Sequence, residues 1–225
     1  MRLAFAGLGL GLALALGACA STGSGPAPSA PVYPAPPPPP GEAGASGLDW
    51  RAIITSGDRD RYQRRDAAWT LALQQARRQP GSGDLSGLGD LIRPDAALSD
   101  PAPAAGDYRC RTVKLGTQGG PDDLGYVVYG WFACRIETTP RGLKFVKVTG
   151  SQRPSGLLFP EDRDHMVLLG SMSLASEAAA NSYGRRPERD LVAVLERIGE
   201  RRWRLVIPWP ENESNLDLIE LVPVR

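Results

Sequence analysis

Histidine occurs once in these 225 residues, at position 165, lysine only at 114, 144 and 147, and cysteine only at 19, 110 and 134. So few imidazoles and thiols cannot furnish the several His or Cys ligands of a zinc site. A serine triad would have to take His165 as its base, and the chain holds neither a Gly-x-Ser-x-Gly nor a Ser-x-x-Lys motif. No Gly-x-x-x-x-Gly-Lys loop is present, and the closely spaced Gly7, Gly9 and Gly11 belong to an apolar leader. The carboxylates Asp122-Asp123 and Glu161 to Asp164 read as turns rather than as calcium ligands or a glycosidase pair. The formal charge is +1, with arginines scattered among carboxylates, so no footprint for nucleic acid exists. The composition calls for no cofactor and no metal.

What is present begins with the leader. Met1 and Arg2 precede an apolar run from Leu3 that closes in Leu16-Gly17-Ala18-Cys19. A charged start, an apolar core and small residues before the cut describe a secretory signal, here residues 1–18. The run is shorter than the about 20 residues of a spanning helix. The segment resembles a bacterial lipobox, which implies cleavage before Cys19 and lipidation of that residue, anchoring the chain to a membrane. Similarity to bacterial lipoproteins also implies sorting: Ala20 stands where an aspartate would favour the inner membrane, so the expected address is the outer membrane, facing the periplasm.

Residues 19–47 are mostly Ser, Thr, Gly, Ala and Pro, with almost no large apolar residue and five prolines in a row from Pro36 to Pro40. Such a stretch buries too little to offset its ordering entropy, and its prolines favour an extended spacer. Residues 48–225 show no second change of composition, so a single domain is expected there.

Within that domain the first element reads as a helix. Thr55 and Asp58 have capping-box spacing, Tyr62, Trp69, Leu73 and Ala76 recur on one face, and Pro80-Gly81 ends the run. A short turn or helix over 85–92 precedes Pro94. After Asp107 the period changes to strands at 107–116, 126–137, 142–150, 155–159, 165–171, 190–198, 201–208 and 216–222. The fold class is therefore α+β and mainly β: an N-terminal helix packed on an antiparallel meander of roughly eight strands, either a barrel or a sandwich. The strand 126–137 is apolar at nearly every position and should be covered on both faces. Arg202 and Arg204 alternate with Trp203, Leu205 and Ile207, which predicts one wet face there.

With Cys19 lipidated, Cys110 and Cys134 remain, either as a disulfide or as two buried thiols. If they oppose one another in a hairpin of the first two strands, Thr112 faces Phe132 and Tyr108 faces Ile136, giving an apolar inner face. The same register sets Arg109 against Arg135 and Asp107 against Glu137 on the other face. Arg109 and Arg135 then read either as an anion clamp or as a surface ion network, beside an apolar patch of Val113, Leu115, Tyr129 and Trp131 on which the helix would dock.

Asp49-Trp50-Arg51, Gly150-Ser151-Gln152-Arg153-Pro154-Ser155-Gly156, Glu196-Arg197-Ile198-Gly199 with Arg202 to Val206, and Pro208-Trp209-Pro210 with Leu216-Asp217 resemble domain of unknown function 4893, found mainly in exported alphaproteobacterial proteins. The resemblance spans most of residues 48–223 and implies no known activity. Two classes of function stay open. One is a non-catalytic envelope module that recognises a protein or a cell-wall component, with a lysozyme inhibitor as a specific version because Tyr108-Arg109-Cys110 looks like that class. The other is an enzyme or small-ligand carrier with a barrel cavity lined by Tyr129, Arg135 and Arg153.

Overall fold

A run of β-branched and aromatic residues cut by Gly, Pro and charged turns needs a partner strand for every backbone group, and a closed sheet supplies one at every edge. The computed structural model describes residues 49–175, 177 and 182–224. Cys19, the leader and the Pro-rich stretch lie outside the described residues. The main strands are β2 (Gly106–Leu115), β3 (Tyr126–Thr139), β4 (Gly142–Lys147), β5 (Gln152–Pro160), β6 (His165–Leu174), β7 (Asp190–Gly199), β8 (Arg202–Pro208) and β9 (Leu216–Pro223). Each pairs antiparallel with the next, and β9 returns to β2, so the eight close into an up-and-down barrel. A two-residue strand, β1 (Gly81–Ser82), adds in parallel beside β3.

Three apolar clusters follow from side-chain parity. Tyr108, Cys110, Cys134, Ile136, Phe145, Leu168, Leu195, Leu205 and Leu221 fill the barrel interior. Outside it, α3 (Arg65–Arg78) and a 3-10 turn (Ser86–Ile92) cover Val113, Leu115, Val206 and Leu218 with Trp69, Ala72, Leu88 and Leu91. Farther round, α1 (Trp50–Ile53) brings Trp50 and Ile54 onto Phe159, Val167 and Leu169.

The helix starts as expected, since the Thr55 hydroxyl accepts from the Asp58 amide at the head of α2 (Ser56–Gln63). It is not continuous. Arg64 leaves helical geometry and α3 begins at the next residue, which lets α2 follow β7 while α3 turns onto β2, β8 and β9.

Three expectations are corrected. Cys110 and Cys134 are disulfide-bonded with Cα atoms 5.8 Å apart, yet Cys110 faces Phe132 and Cys134 faces Tyr108. The bond runs along a diagonal that the strand twist shortens. The register is thus displaced by two residues, which places Arg109 opposite Ala133 and Arg135 opposite Asp107. Between Arg111–Val113 and Trp131–Val128, β3 uses three steps to two in β2, a bulge at Tyr129 and Gly130. Val128 consequently packs beneath the helical cover with Val113 and Leu115, while Tyr129 and Trp131 lie outside it, 40% and 43% exposed. Strand β3 is therefore not covered on both faces. Nor is the outer face of β8 wet: Arg204 is 0% exposed beneath the 3-10 turn.

Candidate functional site

The helical cover spans β2 and β5 to β9 but leaves the middle of β3 open, and the exposed aromatic residues gather there. Trp131 stands across from Arg111 and diagonal to Arg109. The Arg109 and Arg111 guanidinium carbons lie 4.5 and 5.0 Å from the centre of its indole ring. Cation–π contact of this kind orients a large aromatic without burying it. Arg111 is held on its other side by Glu220, which also accepts from Arg202. Arg109 has no carboxylate within ion-pair distance among the described residues. With Arg201, Val222, Pro223 and Val224 it lines a groove of about 570 Å³. The arrangement offers an aromatic plate, one guanidinium fixed by Glu220, one without a carboxylate partner among the described residues, and an apolar wall.

Arg135 does not join Arg109 in a clamp. Its Nε donates to Asp107 at 2.7 Å, and that bond holds the guanidinium above its ordinary pKa. Arg153 is committed elsewhere, donating to the carbonyls of Gly150, Ala175 and Glu177 at 2.9, 2.6 and 2.6 Å. It staples the connection after β6 to the turn before β5. His165 bonds Asp162 through Nδ1 at 2.9 Å and places Nε2 3.6 Å from Glu196. Among the described residues no hydroxyl or thiol hydrogen-bonds to it, and no group of three His, Cys, Asp or Glu could hold a metal ion.

The barrel interior is filled by side chains. At one mouth a cavity of about 60 Å³ remains, lined in part by Lys114, Met172, Leu191, Ile207 and Asp217. Tyr129, Arg135 and Arg153 do not line it. Lys114 contacts Asp217 at 3.2 Å and Glu213 at 3.0 Å. Lys147, also buried, has among the described residues only the carbonyls of Thr149 and Gln152 and the face of Phe132, 3.9 Å from its Nζ. Burial, with Arg153 and Lys114 nearby, pushes its pKa down to about 8.

Sequence reasoning missed two of these residues. Arg111 shares strand parity with Arg109, and Lys147 shares it with the inward Leu143 and Phe145, so parity alone marked both.

No curated protein and no solved structure matches the chain. The sequence profile described as "Domain of unknown function (DUF4893)" matches residues 50–221, from the start of α1 to Leu221 in β9, and so takes in the helical cover and all of the barrel but the last two residues of β9. The chain belongs to the DUF4893 family.

Proposed function

We propose that this chain is a lipid-anchored envelope protein whose barrel serves as a non-catalytic binding module, with the Trp131 face as its recognition surface. The observation that carries the reading is an indole 43% exposed and flanked by two arginines, on the part of the barrel that the helices leave open. Trp, Tyr and Arg dominate the energetic centres of protein interfaces, and a large aromatic held rigid in the free protein loses little entropy on binding. The filled barrel supports recognition on the outside rather than capture within, since 60 Å³ is far below the 300–1,000 Å³ of ordinary ligand pockets. The lipobox ending at Cys19 and the Cys110–Cys134 disulfide support an exported, membrane-anchored address at the outer membrane.

Crosslinking of the full chain in its native envelope, compared with Trp131→Ala and Arg109→Ala, tests the reading. A protein or cell-wall fragment captured near stoichiometry by the wild type and lost from both variants, with their thermal unfolding unchanged, is the expected result. Equal capture by all three chains overturns it. Release of a Cys19→Ser chain from the membrane fraction tests the anchor.

A further inference from the structure

A second concave surface lies away from Trp131, on the outer side of β4, β5 and β6. It measures about 550 Å³ and is lined by Ile53, Leu157, Phe159, Leu169 and Tyr183 on its apolar side, with Arg141 and Lys144 at the rim. The stretch Gly150 to Gly156, one of the segments that carry the family resemblance, supplies Ser155 and Gly156 to it.

Two observations give this groove a chemistry. No carboxylate is among its lining residues, whereas it carries two cations. Arg141 has no ion pair among the described residues, and Lys144 reaches only Glu137, at 4.0 Å. Ser171, 1% exposed, lines the groove with a hydroxyl that has no hydrogen-bond partner among the described residues, an arrangement that folding alone disfavours.

We propose that this groove binds a small anionic amphiphile, with its acyl or aromatic body against Leu157, Phe159 and Leu169, its carboxylate or phosphate head between Arg141 and Lys144, and a polar atom in reach of the Ser171 hydroxyl. The volume falls within the range of small-ligand sites, and the mixture of apolar wall and few polar groups is theirs as well. A free fatty acid and the phosphate head of a lipid share this chemistry.

The test is calorimetric titration of the full chain, disulfide intact, with decanoate, decyl phosphate and uncharged decanol, each below its aggregation concentration. Saturable binding of one decanoate or decyl phosphate per chain is expected, at least 10-fold tighter than decanol. Preference for decanoate assigns a free acid and preference for decyl phosphate a lipid head, and either supports the site. Arg141→Glu with Lys144→Glu, both at the rim, should weaken binding at least 10-fold, and Arg141→Gln should weaken it less. Binding of decanol as tight as that of the anions, absence of saturable anion binding, or affinity unchanged in the charge-reversed chain overturns the proposal. Trp131→Ala should leave all three titrations unaltered, which separates this site from the recognition face.

Discussion

Arg204 lies with its guanidinium carbon 4.9 Å from the centre of the Trp69 ring, and so joins β8 to α3 through the full thickness of the helical cover. The same group donates to Glu196 and to the carbonyls of Asp90, Leu91, Arg93 and Pro94. It thereby satisfies the end of the 3-10 turn, where the Asp90 carbonyl also accepts from the Arg93 amide. One buried cation holds three elements in register.

Arg204→Met should therefore cost about 3–5 kcal/mol, because it strands the buried Glu196 carboxylate together with those carbonyls. Urea unfolding checks this. Adding Glu196→Met should recover part of the loss but not all of it, since the carbonyls of the turn still lack the guanidinium. A loss below about 1 kcal/mol for the single variant would mean that water replaces the guanidinium there.

Lys147 predicts a pH dependence of the opposite sense to an ordinary ion pair. Its amine loses its proton near pH 8 in the folded chain but near its ordinary 10.5 in the unfolded one. Between those values the unfolded state binds more protons, so stability rises with pH across the window, and the cost of burying the charge is fully present below about pH 8. At about 1.4 kcal/mol per unit the rise is of order 1–3 kcal/mol. Urea midpoints from pH 7.5 to 9.5 should climb in the wild type and stay flat in Lys147→Met. The range stops short of the phenols: Tyr62, pushed by burial up to about 12, adds a slope of opposite sign once an unfolded tyrosine ionises.

The disulfide should contribute about 3 kcal/mol, most of it by restricting the unfolded chain in the entropic account. Replacing both Cys110 and Cys134 with alanine should lower the unfolding free energy from urea titration by that amount and leave a chain insensitive to the reductant that weakens the wild type. The β2–β3 ladder is independent of the bond, so the strand signal in circular dichroism should persist.

Gly170→Ala should lose about 1–3 kcal/mol, because the atoms its Cβ would meet are backbone of β5 and cannot turn aside. Gly130→Ala is the control. It lies in the bulge, nothing stands within 4 Å of its Cβ position, and its change should stay within about 0.5 kcal/mol.

The strands were legible because alternation and turn residues act locally: the expected 190–198 and 201–208 differ from the observed β7 and β8 by one residue at a single end each. Pairing was less so. The cysteines announced that β2 and β3 are joined but not that the bond is diagonal, since that depends on the twist of the closed barrel. Gly130 within an apolar run was the visible sign of the bulge, and overlooking it misplaced Tyr129 and Trp131 beneath the helix. Arg204 was misread for a related reason. Parity put it outside the barrel correctly, but whether outside means solvent depends on the 3-10 turn more than 100 residues earlier. Of the expected contact residues, Arg109 stands at the open face, while Arg135 and Arg153 hold to Asp107 and to backbone carbonyls.

The seam of the barrel joins Tyr108 to Pro223 and Leu115 to Leu216. Every other barrel contact between strands links neighbours in the chain, so closure waits on a single pairing across more than 100 residues. Until the last strand is available, β2 and β8 each present an open row of amides and carbonyls, and the chain is an unfinished sheet with two adhesive borders. Long-range pairing of this kind is slow. The eight residues of β9 therefore decide when the protein stops being able to pair with its own copies, and loss of even part of that strand would leave that ability permanent.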